Sequence, residues 1–453
     1  MYLLLNYLFI FFDYFCMMEH SEILSRTYKI LFSSIILLTI MTIYYLYGNI
    51  NKNKQEKNEK IYYFDNNSTT QIHDDDVKNT IIKWLNCGNP SNVLHSFGLR
   101  AHNHIEYCRH FIARKMNVIP EEIYFTSGAT ESNNIFIQGV MNYYLNLKNS
   151  PDTKYTVITS SFEHPSVSNI FNFYKKNPLF NIIEIDPNLN LEDEYYGCID
   201  PVHIEKKIVE NLNNKIIMIS IMHGNNETGS IQNIELIGRI AKKYNILFHT
   251  DATQTIGKYM IHPKKNNISS LSFSGHKFYC PKGIGALYVD NNVKFLNLCY
   301  GGSQEYKKRP GTENVAFISG LTMAFDKVHI DREIKNNRML ELKMWMLNKL
   351  NKHNIEIIGP YKRNAMPNTI LVIFKNMKMC NKVFVQYLNK FNICISVGSA
   401  CQTSHQNQSH VLLSMKVDPQ YYNNIVRISL SDYTTLEECK YFCKIVDKIL
   451  YSE

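Results

Sequence analysis

The sequence of 453 residues lacks the cysteine spacings of a disulfide framework or a zinc site. It has 11 cysteines, an odd number, and no two of them form a CxxC pair. In a chain of this length, such cysteine usage argues against a small disulfide-rich secreted protein. We therefore expect free thiols in a reducing compartment, and we predict no metal site.

The sequence also lacks any long block of basic residues. Its formal net charge is +9, but the lysines are scattered along the chain. A nucleic-acid-binding protein usually concentrates its basic residues in one stretch or on one face. We therefore predict no nucleic-acid binding and interpret the charge as a contribution to solubility. The length exceeds that of one small domain, so we expect more than one lobe.

Charged residues are absent from residues 30–51, an apolar run that ends in several tyrosines. About 20 apolar residues span a bilayer, and tyrosine is enriched at its interfaces. We therefore predict an N-terminal hydrophobic region over residues 1–50, with a single transmembrane helix at about 30–50. The alternative is a helix buried in a soluble protein.

Lysines follow this run more densely than basic residues precede it, which places the rest of the chain on the cytosolic side. The lysines that follow are Lys52, Lys54, Lys57 and Lys60, and the preceding basic residues are Arg26 and Lys29. We predict a polar linker over residues 51–60. The expected localisation is a membrane anchor with the body in the cytosol.

From Ile61 onward, short apolar runs rich in β-branched residues alternate with helical patterns. Such runs are typical of buried strands in a parallel α/β sheet. Ligands of open α/β sheets bind beyond the carboxyl ends of the strands. Each of the runs that end near Phe125, Thr159, Met222, Asp251 and Ser274 is followed by polar residues. The sequence therefore predicts a binding site at this edge of the sheet.

The polar residues at the strand ends supply complementary chemical groups. A small turn at residues 127–130 precedes a helix and offers backbone N–H groups to a phosphate. Asp251 offers a carboxylate for a ring nitrogen, the stretch Asn225-Asn226 and the nearby Gln254 offer an amide for a phenolic oxygen, and Lys277 offers an amine for an imine. Taken singly, these residues are ordinary caps, turns and surface groups. Together they are the parts that a pyridoxal-phosphate site requires.

Ten motifs in order show that the chain resembles the cysteine desulfurases and the closely similar selenocysteine lyases, in the class V aminotransferase group. The motifs are YFDNNSTTQ (63–71), GNPSNVLHSFG (88–98), FTSGATESNN (125–134), SSFEHPSV (160–167), MHGNNETGSIQ (222–232), FHTDATQTIGK (248–258), SGHKFYCPKGIGALY (274–288), RPGTENV (309–315), PNTI (367–370) and SVGSACQTS (396–404). The resemblance covers about Tyr62 to Lys448.

This resemblance implies an α/β protein with the fold of fold-type I pyridoxal-phosphate-dependent transferases. A large cofactor-binding domain would occupy residues 61–315, with a mostly parallel seven-stranded sheet between helices. A smaller α+β domain would occupy residues 316–453 and carry the catalytic cysteine. The resemblance also implies a homodimer.

The resemblance further implies a role for each matching residue. Lys277 would hold pyridoxal 5'-phosphate as an imine, Asp251 would pair with the pyridine nitrogen, and His164 would stack on the ring and transfer protons. Cys401 would be the nucleophile, since a cysteine thiolate attacks sulfur readily. The other implied contacts are Ala129, Thr130, Ser274 and His276 to the phosphate, Asn226 and Gln254 to the phenolic oxygen, Thr312 to the phosphate in the partner subunit, and Arg427 with Asn226 to the substrate carboxylate.

The implied activity is conversion of L-cysteine to L-alanine with a persulfide left on Cys401. The sulfur would pass to an unidentified acceptor protein, for iron–sulfur cluster assembly or tRNA thiolation. A selenocysteine lyase is an alternative with the same chemistry. A catalytically weak, membrane-bound sulfur-trafficking subunit is another. It is favoured by Tyr306 and Asp432, which depart from the family pattern, and by a chain that ends at Glu453 without the expected longer tail. A plain aminotransferase would leave Cys401 without a role.

Overall fold

The computed structural model describes residues 60–147, 153–398 and 409–451. The chain divides into two compact units, Met1–Lys60 and Ile61–Glu453. Only Lys60 of the first unit belongs to the described residues, and all of the described strands and helices belong to the second unit.

The described strands form three sheets. The strands are β1 (Tyr62–Tyr63), β2 (Ile123–Thr126), β3 (Tyr155–Ser160), β4 (Phe180–Ile185), β5 (Lys215–Ser220), β6 (Leu247–Asp251), β7 (Ser270–Ser274), β8 (Gly285–Val289), β9 (Ile355–Ile357), β10 (Thr369–Phe374), β11 (Ile393–Cys394) and β12 (Ile425–Ser429). The largest sheet has seven strands in the order β2-β8-β7-β6-β5-β3-β4. Strand β8 is antiparallel to both of its neighbours, and the remaining pairs are parallel. The prediction of a mostly parallel seven-stranded sheet is confirmed.

Helices pack on the sheets. They are α1 (Asp75–Leu85), α2 (Ser96–Met116), α3 (Ala129–Leu145), α4 (Pro165–Tyr174), α5 (Pro201–Glu210), α6 (Ile234–Lys243), α7 (Val315–His329), α8 (Arg332–Leu350), α9 (Asn381–Asn389), α10 (His410–Ser414) and α11 (Leu436–Tyr451). Neighbouring residues of one strand join different apolar clusters. Val157 belongs to the same apolar cluster as Phe136 of α3, whereas Ile158 belongs to the cluster that contains Ile112 of α2. Because successive side chains of a strand point to opposite faces, both faces of this sheet are buried. This explains why its strands are apolar at nearly every position.

The two smaller sheets bring distant parts of the chain together. Strands β9, β10 and β12 form an antiparallel sheet, and β1 pairs in parallel with β11. Phe64, directly after β1, is buried in an apolar cluster with residues of α8, α9 and α11. The segment after β1 therefore lies against the last strand of the fold. The domain boundary between residues 315 and 316 stays a prediction, since Ile61–Glu453 is one compact unit.

The predicted membrane anchor and the localisation derived from it are corrected. Within the described residues, no helix is both long and apolar enough to cross a bilayer. The long helices α2 and α8, with 21 and 19 residues, carry charged side chains along their length. The predicted span at about residues 30–50 lies outside the described residues. The transmembrane helix and the membrane attachment are therefore not retained.

Candidate active site

A cavity of about 400 Å³ lies where strands of the seven-stranded sheet end. Of the predicted site residues that the structure describes, all except Thr312 line it. The lining residues among those predicted are Ala129, Thr130, His164, Asn226, Asp251, Gln254, Ser274, His276, Lys277 and Arg427. The structure therefore brings together residues that are up to about 300 positions apart in the sequence, and it does so at the sheet edge that the polar strand ends indicated.

Lys277 lies at the end of a short 3-10 turn (Gly275–Lys277) that continues directly from β7. Its Nζ donates hydrogen bonds to the backbone oxygen of Asn67 at 2.6 Å and to that of Ser68 at 2.8 Å. The Asn67 oxygen also accepts a hydrogen bond from Gln254 Nε2 at 2.9 Å. The segment after β1 therefore fixes the amine at the wall of the cavity.

Asp251, the last residue of β6, is buried, and both of its carboxylate oxygens have donors. Oδ2 accepts a hydrogen bond from Asn133 Nδ2 at 2.8 Å, and Oδ1 accepts one from the Thr253 backbone N–H at 2.9 Å. These bonds fix the plane of the carboxylate. A buried carboxylate held in this way is suited to pair with a protonated ring nitrogen.

His164 caps the N-terminus of α4. Its Nδ1 accepts a hydrogen bond from the Ser166 backbone N–H at 3.1 Å. Burial lowers the pKa of His164, the Asp251 carboxylate opposes this shift, and the charge of Lys277 adds to it. The neutral imidazole therefore carries its proton on Nε2. It is suited to exchange that proton with a group in the cavity.

The turn before α3 has the features of a phosphate cradle. Gly128 has φ of 151°, and a Cβ at this position would lie 3.2 Å from Ser274 Oγ. The missing side chain leaves the first N–H groups of α3 accessible from the cavity, where they attract an anion. Burial lowers the pKa of His276 to about 4, with help from the charges of Lys277 and Lys282. The first N–H groups of α3, the Ser274 hydroxyl and the neutral His276 ring are the hydrogen-bond donors here, and together they fit a phosphate group.

The contacts of Arg427, at the centre of β12, limit how this side chain could bind a substrate. Its two terminal nitrogens already donate hydrogen bonds: one to Asn226 O at 2.9 Å, the other to Asp65 Oδ1 at 2.8 Å and Ser68 Oγ at 2.7 Å. Its Nε has no hydrogen-bond partner among the described residues. A substrate carboxylate bound here would have to share these donors with Asp65 and Ser68.

Thr312 is exposed on its own chain and does not line the cavity. Cys401 lies outside the described residues, which resume at Ser409. The two departures from the family pattern have structural contacts: the Tyr306 ring covers the Arg109 guanidinium at 5.3 Å, and the Asp432 backbone N–H donates to Tyr279 Oη at 2.8 Å.

Sequence reasoning gave no role to three residues that hold the site, namely Asn67, Ser68 and Asn133. All three lie in the motifs at 63–71 and 125–134, so the pattern marked their neighbourhood. Asn67 and Ser68 contribute backbone oxygens to Lys277, and a backbone oxygen leaves no signal in residue type. Asn133 lies four residues beyond Ala129, one turn into α3, and this spacing was the available signal.

Comparisons with known proteins agree with this geometry. The Aminotransferase class-V family model matches residues 62–442. A cysteine desulfurase IscS of Dictyoglomus turgidum is 36% identical over 370 residues, covering 80% of this chain and 87% of the relative. A cysteine desulfurase IscS of Methanosarcina thermophila is 35% identical and covers 86% of this chain and 92% of the relative. The solved structure of a NifS-like protein has a TM-score of 0.77 at 33% identity, covering 87% of this chain and all of that one.

Proposed function

The chain belongs to the class-V aminotransferase family and to the cysteine desulfurases within it, and from this we propose that its cavity binds pyridoxal phosphate and converts L-cysteine to L-alanine, with a persulfide left on Cys401. The protein is a pyridoxal-phosphate enzyme with cysteine desulfurase activity. The roles of its residues are our proposal. They rest on one observation: an amine, a carboxylate, a neutral imidazole and a helix N-terminus converge on one cavity.

The donors of the cavity divide among the parts of the cofactor. Lys277 would bind the aldehyde carbon, and Asp251 would pair with the ring nitrogen. The N–H groups of Ala129 and Thr130 would bind the phosphate with Ser274 and His276, and Asn226 and Gln254 would bond the phenolic oxygen. When bound, pyridoxal phosphate withdraws electrons from the substrate and makes its Cα proton acidic.

Lys277 and His164 would move the protons. Once the amine of L-cysteine has taken its place on the aldehyde carbon, the freed Lys277 amine would accept the Cα proton of L-cysteine, and the two backbone oxygens that hold Nζ would keep it at the cavity wall. His164, neutral and protonated on Nε2, exchanges a proton with the substrate on its side of the cavity. Arg427 would orient the substrate through its carboxylate, by a charge-assisted hydrogen bond.

Cys401 would carry the sulfur. Its thiolate forms a bond to the substrate sulfur while the Cβ–S bond of the substrate breaks. The electron pair of that bond stays on Cβ, which takes up a proton and becomes the methyl group of alanine. One thiol and one L-cysteine thus give one persulfide and one L-alanine, with no external oxidant or reductant. The persulfide would then pass to an acceptor protein, such as an iron–sulfur scaffold or a tRNA-thiolation protein.

A homodimer would complete the site through Thr312. This residue is exposed and lies outside the cavity of its own chain, as expected of a side chain that reaches the phosphate bound by a partner subunit. Sedimentation of the purified protein would measure the oligomeric state. Cofactor titration of Thr312→Ala should show weaker retention of pyridoxal phosphate in a dimer of unchanged stability. A monomer that binds the cofactor fully would contradict this part of the proposal.

The test of the proposed function uses the purified protein with L-cysteine and a reductant, beside Cys401→Ser. We expect equal amounts of sulfide and alanine from the wild type and neither from the variant, although the variant still binds the cofactor. Equal alanine production by both proteins would show that Cys401 does not carry the sulfur. A parallel assay with L-selenocysteine compares kcat/KM for the two substrates and decides between a desulfurase and a lyase.

A further inference from the structure

Most of the hydrogen-bond donors of Arg427 are in use before a substrate arrives. An arginine side chain has five N–H donors. Nη2 uses both of its own, for Asp65 Oδ1 at 2.8 Å and for Ser68 Oγ at 2.7 Å. Nη1 donates to Asn226 O at 2.9 Å, and Nε is buried without an acceptor among the described residues. A bidentate bond from both terminal nitrogens to a substrate carboxylate therefore requires Asp65 or Ser68 to give way.

The acceptors of Arg427 differ in charge. Asn226 contributes a backbone oxygen and Ser68 a hydroxyl group, and both are neutral. Asp65 contributes a carboxylate, which is the same chemical group as the one that a substrate amino acid would bring. The Ser68 hydroxyl also donates to Asp65 Oδ1 at 2.9 Å, so that the three side chains form a closed triangle of hydrogen bonds. Asp65 therefore occupies Arg427 in the way that a substrate carboxylate would.

Asp65 is also the partner that can withdraw most easily. Its side chain is 19% exposed, against 2% for Arg427, and the printed contacts of its carboxylate all involve Oδ1. The Asn226 oxygen is held in place, because it also accepts a hydrogen bond from Asn67 Nδ2 at 3.2 Å. If Asp65 turned toward water, Asn226 and Ser68 would still orient the guanidinium. Orientation of Arg427 therefore does not require the charge of Asp65.

We propose that Asp65 is an internal competitor of the substrate carboxylate, which pairs with Arg427 in the empty site and lowers the affinity for L-cysteine and L-alanine. This inference rests on the proposed substrate-binding role of Arg427. Two carboxylates at one guanidinium repel each other, and the repulsion is strong at a few ångströms near a protein surface. In the empty site, Asp65 keeps a buried cation from being left unpaired. Because L-alanine carries the same carboxylate as L-cysteine, the return of Asp65 to Arg427 would also favour product release.

The test is the dissociation constant of L-alanine, measured on the cofactor-loaded protein by the change in cofactor absorbance. L-alanine has the carboxylate but no sulfur, so this titration does not depend on Cys401. Asp65→Asn keeps an acceptor oxygen for Arg427 and Ser68 and removes the charge. We expect its Kd for L-alanine to be about tenfold to a hundredfold lower than that of the wild type. An unchanged or higher Kd would overturn the proposal, and a higher one would mean that Asp65 orients Arg427 for the substrate.

Two controls separate competition at Arg427 from a general effect of charge. Ethylamine is L-alanine without its carboxylate, and its Kd should be the same in Asp65→Asn as in the wild type. Asp447 is the matched carboxylate: it lies 2.7 Å from both Lys352 Nζ and His353 Nε2, and it does not line the cavity. Asp447→Asn should bind L-alanine with the wild-type Kd. Equal tightening for ethylamine, or in Asp447→Asn, would disprove competition for the carboxylate.

Arg427→Ala separates the failure of this inference from that of the proposed function. If Arg427→Ala binds L-alanine as tightly as the wild type does, the proposed substrate role of Arg427 fails, and the role of Asp65 fails with it. If Arg427→Ala binds L-alanine more weakly but Asp65→Asn binds it no more tightly, the role of Asp65 alone is disproved. Tighter binding in Asp65→Asn together with weaker binding in Arg427→Ala is the result that we expect.

Discussion

Two arginines are buried among the residues that the structure describes, and they are paired in different ways. Arg109 is 3% exposed, and its terminal nitrogens each lie 2.8 Å from an oxygen of Glu305. Its guanidinium also lies between the rings of Phe125 and Tyr306, at 5.0 and 5.3 Å. Arg427 is 1% exposed, but it contacts one carboxylate oxygen, that of Asp65, and its Nε has no partner among the described residues.

The difference bears on the proposed role of Arg427 in binding the substrate. A buried charge is costly unless it is paired and hydrogen-bonded. Arg109 meets this condition with a carboxylate that is itself buried and does not line the cavity. Arg427 lies in the cavity wall, and its partner Asp65 is 19% exposed on its side chain. Burial alone therefore does not mark an arginine as a candidate for substrate binding; the position of Arg427 in the cavity wall does.

A third buried cation has no carboxylate contact among the described residues. Lys343 is 1% exposed, and its Nζ donates one hydrogen bond, to the Met366 oxygen at 3.0 Å. Burial lowers the pKa of Lys343 to about 7. This fold thus accommodates its three buried basic side chains in three ways. Arg109 forms a bidentate ion pair, Arg427 divides its terminal nitrogens among several oxygens, and Lys343 has a lowered pKa.

The largest effect on stability is expected from Arg109→Met. The change leaves Glu305 buried without its cation, which costs about 3–5 kcal/mol of the free energy of unfolding. Denaturant titration would measure the loss. The double variant Arg109→Met with Glu305→Gln should recover a large part of it, because no uncompensated charge remains. An unchanged unfolding midpoint in the single variant would mean that the pair does not hold the fold.

Arg427→Ala should act on catalysis more than on stability. We expect KM for L-cysteine to rise about a hundredfold, which corresponds to the loss of about 3 kcal/mol on truncating one partner of a charge pair. Steady-state assays would measure it. Asp65 is left partly solvated, so the unfolding free energy should fall by less than in Arg109→Met. Arg427→Lys keeps the charge without the fork, and its KM should lie between those of the wild type and Arg427→Ala. An unchanged KM in Arg427→Ala would remove this residue from the substrate site.

The Lys343 amine should appear in the pH dependence of stability. Between about pH 7 and the ordinary lysine pKa of 10.5, the unfolded state holds a proton that the folded state has lost. This proton difference makes the free energy of unfolding rise with pH, by at most about 1.4 kcal/mol per pH unit. Below pH 7 both states are protonated and the contribution is flat. Denaturation of Lys343→Met at pH 7 and pH 9 should lack this rise, and equal slopes in both proteins would contradict the shifted pKa.

The smallest effect is expected at Tyr306. Its ring covers the Arg109 guanidinium, and a cation–π contact contributes about 0.5–1 kcal/mol. Tyr306→Ala should lower the unfolding free energy by about that amount, and Tyr306→Phe, which keeps the ring, should lower it by less. L-cysteine turnover should be unchanged in both. A loss of turnover in Tyr306→Phe would instead make the Tyr306 hydroxyl part of the activity.

The sequence predicts the strand ends well because their chemistry is local. Asp251 and Ser274 each close an apolar run, and that pattern is enough to place them at the cavity. Contacts between distant segments leave no such pattern. Nothing in the residues around Arg109 indicates that Glu305, 196 positions away, is its partner. The membrane prediction was wrong: no helix of the described residues is long and apolar enough to cross a bilayer, and the run at residues 30–51 on which the prediction rested lies outside them.

The pairing of the segment after β1 with β12 has a consequence for biosynthesis. Asn66 Nδ2 bonds the Ser429 oxygen across 363 residues, and Arg427 joins Asp65 across 362. At typical translation speeds these partners emerge from the ribosome on the order of tens of seconds apart. The wall of the cavity therefore closes only after β12 has left the ribosome. A nascent chain that lacks β12 should be unable to retain the cofactor, so that cofactor loading follows the synthesis of this strand.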